Sequence, residues 1–197
     1  MSNTARQWLG RSLVVAGAVT ILAGCAADGS LGPDRGSAEA AVPTVSANGS
    51  LVPDLGSCGH LNVEAGHEFA LRVYAKGVQI YHWNGAGWSF DGPSADLYAD
   101  AAFTSKLGIH YSGPTWESLS GSLVVGTILQ RCTPDPNSIQ WLLLGAVRSK
   151  GPGVFKGVSF IQRLNTVGGI APAGPGSTIG EEKRVPYTTE YLFYRPE

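Results

Sequence analysis

Hydrophobic and polar positions alternate over short stretches of this chain, and glycine, proline and asparagine punctuate them. In Phe69-Ala70-Leu71-Arg72-Val73, the residues Phe69, Leu71 and Val73 fall on one side and Arg72 on the other, the two-residue period of a half-buried strand. A turn at Ala75-Lys76-Gly77 then leads into Val78 to Trp83, where Val78, Ile80 and His82 alternate with Gln79, Tyr81 and Trp83, so the two runs read as a hairpin. Asn84-Gly85-Ala86-Gly87 is the strongest turn signal in the chain and opens into Trp88, Ser89 and Phe90. Further strands are expected within Lys106 to Tyr111, Ser122 to Arg131, Ile139 to Val147, Val154 to Leu164 and Tyr187 to Tyr194.

No segment carries a helical apolar stripe over four turns. Ile139 to Val147 is a continuous apolar run, which periodicity alone does not separate from a short buried helix; it is read as a buried central strand. The pattern predicts an all-β fold, one antiparallel sandwich or barrel with long Gly/Pro-rich loops, because that many strands must close on one another to avoid exposed edges. Strand should exceed helix at least about twofold, against base rates that favour helix. Phe69, Leu71, Val73, Ile80, Val124, Ile128, Leu142, Leu144 and Phe160 are expected to be buried.

Composition sharpens this picture. Twenty-seven glycines and 12 prolines among 197 residues favour tight turns over long helices. Net charge is −1, so no basic field exists to gather phosphates, and nucleic acid is not an expected partner.

The first residues read as an address. Arg6 and Arg11 precede an apolar run from Leu13 to Ala23, too short to span a hydrocarbon core of about 30 Å, and acidic residues are absent before Asp28. The run ends in Leu22-Ala23-Gly24-Cys25, which resembles the lipobox of bacterial lipoproteins. That resemblance implies a signal peptide over 1–24, a diacylglyceryl thioether and acylated amino group on Cys25, and a membrane anchor made of several acyl chains. Ala26 and Ala27 after the cysteine imply the outer membrane if the source is Gram-negative. Residues 25–50 are rich in Ala, Gly, Ser and Pro and read as a flexible tether with a reach of about 25–30 Å. Residues 51–197 form the β-rich domain. Without Arg6 and Arg11, 12 basic residues face 15 acidic ones, so electrostatic attraction to anionic lipid is not expected.

Cys58 and Cys132 are then the cysteines left to the domain. In an oxidising exported compartment they are candidates to pair, the alternative being two separate thiols.

Several phrases together resemble one family. They are Gly77-Val78-Gln79-Ile80-Tyr81; His110-Tyr111 with Gly113-Pro114-Thr115-Trp116-Glu117; Gly121-Ser122-Leu123-Val124; Trp141-Leu142-Leu143-Leu144; Ile161-Gln162-Arg163-Leu164-Asn165-Thr166 with Gly168-Gly169-Ile170-Ala171-Pro172; and Val185-Pro186-Tyr187 with Tyr191-Leu192-Phe193-Tyr194. In this order, over roughly residues 50 to 194, they resemble a secreted bacterial and fungal domain-of-unknown-function family, numbered 3455. The resemblance implies no activity and no catalytic residue. Family members often carry one cysteine after the Gln-Ile-Tyr phrase and another after Gly-Gly-x-Ala-Pro; here those places hold His82 or Trp83 and the stretch Gly174 to Ser177, so that bridge is missing.

The search for chemistry yields few signals. The chain has no Gly-x-Ser-x-Gly elbow, and Ser120-Gly121-Ser122 reads as a turn. Gly151-Pro152-Gly153 lacks the spacing and the βαβ setting of a dinucleotide fingerprint, so no cofactor is expected. His60, His67, His82 and His110, with Glu64, Glu68 and Glu117, show no metal-ligand spacing. The most suggestive cluster is His110 to Glu117, in which His110 is a candidate acid or base and Glu117 a group to orient it. The alternative there is a structural turn with Trp116 in the core. Arg163, Asn165 and Thr166 form a second candidate polar patch, or else satisfy loop backbone. Trp83, Trp88 and Trp116 are candidates for a sugar-stacking platform or for core. The reading that results is a lipid-anchored envelope protein with a non-catalytic binding or structural domain, its ligand a small molecule, a glycan or a protein. The alternative is an envelope hydrolase using the His110 to Glu117 segment.

Overall fold

The computed structural model describes residues 53–197; the expectations for the leader, Cys25 and the tether lie outside the described residues. After a 3₁₀ helix, Gly56–Leu61, the described chain is a succession of strands: β1 (His67–Trp83), β2 (Trp88–Tyr98), β3 (Lys106–Tyr111), β4 (Thr115–Ser118), β5 (Leu123–Cys132), β6 (Trp141–Lys150), β7 (Phe160–Gly168) and β8 (Glu182–Pro196). Each pairs antiparallel with the next, and β8 returns to β1 in a register running from His67 opposite Pro196 to His82 opposite Glu182. The result is a closed eight-stranded up-and-down barrel, which among the described residues leaves no sheet edge unpaired. Strands hold 57% of the described residues and helix 4%, so the expected all-β fold is present and the barrel is the form it takes.

The hairpin expected at Ala75-Lys76-Gly77 does not exist, because β1 runs unbroken through it for 17 residues. Gly77 makes this possible: a Cβ there would fall 2.2 Å from the Ser94 carbonyl oxygen of β2. With no turn to reset the phase, the odd-numbered face of β1 stays inward from Val73 and Ala75 to Gln79 and Tyr81. Ile80, expected in the core, is therefore half-buried on the outer face. Val73, Val124, Leu142 and Leu144 are buried, and Leu71, Ile128, Phe69 and Phe160 pack half-buried against the core.

One end of the barrel is plugged. The segment expected to begin a strand at Val154 is instead a turn that drops Phe155 and Val158 into the interior, with the Phe155 ring 4.9 Å from that of Phe193. The Phe155 amide donates to the Ser122 hydroxyl at 3.3 Å, and Arg195 donates to the Val154 carbonyl at 2.7 Å, which fastens the plug from two sides. At the opposite end four connections, residues 84–87, 112–114, 133–140 and 169–181, surround an open mouth.

A second apolar layer covers the outside of β6, β7 and β8. Leu55, Cys58 and Leu61 lie over Leu143, Leu164, Leu192 and Tyr194, burying apolar surface that the barrel wall would otherwise expose. Gln162 is polar yet buried here, and it is satisfied: its side-chain NH₂ donates to the Leu61 carbonyl and its oxygen accepts from the Tyr194 hydroxyl, both at 2.7 Å. Cys58 and Cys132 are joined by a disulfide, which ties this layer to the end of β5.

Candidate functional site

The plug at one end and the connections at the other leave a cavity of about 420 Å³ in the mouth half of the barrel. Strand alternation decides its lining. The inward positions of β5 and β6 supply Ile128, Leu142 and Leu144, those of β1 supply Gln79 and Tyr81, and β3, β4, β7 and β8 contribute His110, Trp116, Arg163 and Tyr191. Ile139, Ile170 and Phe90 stand at the rim with Arg131. The lining contains two arginines and no carboxylate.

Trp116 forms the floor, its ring stacked on His110 at 4.5 Å and set edge-on to Tyr191 at 5.1 Å. His110 Nδ1 lies 2.8 Å from the Thr115 carbonyl oxygen, which only accepts, so Nδ1 carries the ring proton and Nε2 is left as an acceptor. Burial drives the His110 pKa down to about 3, and the charge of Arg163 pushes the same way against the opposing Thr115 bond. At neutral pH this imidazole is uncharged.

Three lining side chains, Gln79, Trp116 and Tyr191, and the adjacent Tyr187 bury polar atoms, namely Gln79 Nε2, Trp116 Nε1 and the two hydroxyls, without a well-formed hydrogen bond. None is more than 2% exposed. Such atoms are costly to bury, and their gathering around one cavity is unlike the satisfied Gln162 of the outer layer. Burial raises the pKa of Tyr191, while the neighbouring Arg163, Tyr187 and Trp116 act to lower it, so five polar groups, Gln79 beside Tyr187 included, crowd one region of the interior.

Arg163 donates through Nε and one terminal nitrogen to the Gln140 carbonyl, at 3.0 and 2.8 Å, which fixes the guanidinium at the cavity wall and holds the 133–140 connection over the mouth. Thr166 donates to the neighbouring Ile139 carbonyl, and the Gly168 amide donates to Ser138. The 169–181 connection is held in the same way: the Tyr81 hydroxyl donates to the Gly169 carbonyl at 2.7 Å, and Trp88 Nε1 donates to the Gly174 carbonyl at 2.8 Å.

The sequence candidates divide accordingly. His110 and Glu117 do not meet. In the β3–β4 hairpin His110 faces Trp116, so Glu117, one residue on, points to the outer face, where it accepts from the Tyr111 hydroxyl at 2.8 Å. The proposed acid–base pair is thus corrected to an interior histidine and an exterior carboxylate. Arg163, Asn165 and Thr166 do not form one patch either: Arg163 lines the cavity and Thr166 secures a loop. Asn165 is exposed, with φ 51°, at the irregularity between Leu164 and Val167.

His60 donates to the Arg131 carbonyl, His67 sits against the Phe160 ring, and His82 lies beside Glu182, so the four histidines are dispersed. Among the described residues no three metal-ligating side chains cluster. Trp83 and Trp88 pack on each other under the 169–181 connection, apart from Trp116, so the three tryptophans share no face. A Cβ on Gly176 would fall 2.5 Å from Trp83, so the two places where the family resemblance expects cysteines are in contact here, with an indole against a glycine instead of a bridge.

Gln79, Tyr81, Tyr187 and Tyr191 were not legible as site residues from pattern alone. The signal available was the odd-numbered alternation from Leu71 to Tyr81, once it is followed through Gly77, and its counterpart Tyr187, Thr189, Tyr191, Phe193 in β8.

No curated protein and no solved structure matches the chain. A family model described as a protein of unknown function, DUF3455, matches residues 64–195, from just before β1 to the penultimate residue of β8. The chain belongs to the DUF3455 family.

Proposed function

We propose that this chain is a lipid-anchored protein of the bacterial cell envelope whose barrel binds a small molecule in its open mouth, without covalent chemistry. One observation carries the binding reading: a largely apolar, open cavity whose lining holds a few polar side chains, His110 and Arg163 among them. That is the composition of a ligand site, apolar walls for affinity with a few fixed polar groups for orientation. The anchor rests on Leu22-Ala23-Gly24-Cys25 and the preceding basic and apolar segments. Residues 25–50 serve as the tether, and the outer membrane is the destination in a Gram-negative source. The hydrolase alternative is not carried further, since His110 and Glu117 face opposite sides of the wall.

Two measurements test the two halves. Cys25→Ser should abolish fatty-acid labelling and release the protein from the membrane fraction; labelled acid retained on the variant contradicts the anchor. For the barrel, compact apolar fragments are screened by saturation-transfer NMR against the chain and against Ile139→Trp, which fills the mouth. Hits lost in the variant support the reading, whereas no hits, or the same hits on both proteins, contradict it.

A further inference from the structure

We infer that the ligand is a compact hydrophobic carboxylate, bound as the anion, its acid group at Arg163 and its apolar body against the β5–β6 wall. This rests on the reading of the barrel mouth as a binding site and concerns what that site selects.

A guanidinium only donates, and Arg163 spends two of its N–H groups on the Gln140 carbonyl, so the group that meets the others is an acceptor with several lone pairs. A carboxylate offers about four such sites on two oxygens. Charge points the same way. Arg163 is held by the Gln140 carbonyl, a neutral acceptor, and among the described residues neither Arg163 nor Arg131 stands within ion-pair distance of a carboxylate. A partly buried cation without a counter-ion raises the affinity of the cavity for an anion and opposes a cation, despite the aromatic floor.

Size and walls set the remainder. The cavity lies in the lower part of the range of about 300–1,000 Å³ common for small-molecule sites. Beside Arg163 stands Leu142, its partner across the β6–β7 pair, and with Leu144 and Ile128 it offers nothing to a second polar end. A sugar, with hydroxyls all round, would bury several of them unpaired against this wall; a molecule with one acid group and one apolar body leaves none.

The test uses three molecules matched in shape, 4-tert-butylbenzoate, 4-tert-butylbenzamide and 4-tert-butylbenzylammonium, titrated calorimetrically into the full chain and into Arg163→Gln. The carboxylate should bind the full chain at least about tenfold more tightly than the amide, the usual scale of a charge-assisted hydrogen bond, and the ammonium should not bind measurably. Arg163→Gln should bring acid and amide to within about twofold of each other, the fold of the variant being checked by its thermal midpoint. Acid and amide binding equally to the full chain, or the ammonium binding best, overturns the carboxylate inference and leaves the barrel reading standing. If none of the three binds, or if binding is undiminished in Ile139→Trp, both fall.

Discussion

His110 donates its Nδ1 proton to the Thr115 carbonyl oxygen across 2.8 Å, a bond inside the β3–β4 hairpin that keeps an uncharged imidazole flat against Trp116. Its pKa, held near 3 in the folded chain against an ordinary 6.5, makes stability depend on pH. Below pH 6.5 the unfolded chain takes up a proton that the folded chain refuses until about pH 3, so stability falls as pH drops through this window. The limiting slope is about 1.4 kcal/mol per pH unit for one proton. Asp100, Asp135 and Glu181, whose pKa values lie below the usual carboxylate range because hydrogen bonds hold them ionised, act in the same direction only once the pH nears 4. Urea unfolding at pH 6.5, 5.5 and 4.5 should show the decline, and His110→Gln should flatten it. A decline of equal slope in the variant would assign it to other groups.

At Gly77 the backbone of β2 leaves no room for a side chain on β1. Gly77→Ala forces a methyl group to within 2.2 Å of the Ser94 carbonyl oxygen and 2.4 Å of the Ala95 Cα, both backbone atoms. A loss of about 2 kcal/mol or more is expected, at the upper part of the range for overpacking, because neither neighbour is a flexible side chain. Gly174→Ala, where an added Cβ meets nothing within 4 Å, serves as the control and should cost much less. Equal denaturation midpoints for the two variants would contradict this account of the β1–β2 contact.

The Cys58–Cys132 bond closes a 74-residue span and holds the 3₁₀ helix over the outer layer. Replacing both cysteines by serine should lower stability by about 2–4 kcal/mol, through a freer unfolded chain and a looser Leu55–Leu61 cover. Non-reducing peptide mass spectrometry of the native protein should show one linked pair. Two alkylatable thiols in the folded protein would refute the bond.

Much of the barrel was legible because a two-residue period, bounded by turn residues, is what a closed antiparallel sheet requires of its strands. Asn84 to Gly87 and Gly113-Pro114 mark real hairpins. The errors occur where a local signal competed with a longer one. Lys76-Gly77 looked like a turn, yet the glycine serves a close strand approach, and the misplaced turn shifted Ile80 onto the wrong face. Val154 to Val158 has the apolar content of a strand but plugs the barrel end, a role set by closure, which no local window contains. The site suffered likewise. His110 and Glu117 are close in sequence, and the hairpin register that separates them follows only once His110 is known to pair with Trp116. Arg163 was visible as an odd charge on an apolar strand; Tyr191 faces it across the β7–β8 pair, and Gln79, from the far end of the domain, joins them only through closure of β8 on β1.

The central claim is that the mouth cavity, and no outer surface, receives the ligand. Trp116 reports on it directly, since its ring lines the cavity while Trp83 and Trp88 pack on each other under the 169–181 connection. The decisive measurement is the ¹H–¹⁵N spectrum of the tryptophan indoles during titration with 4-tert-butylbenzoate. A large saturable shift of the Trp116 indole resonance, with Trp83 and Trp88 nearly unmoved, is the predicted result; an unmoved Trp116 with shifts confined to Trp83 and Trp88 would contradict it.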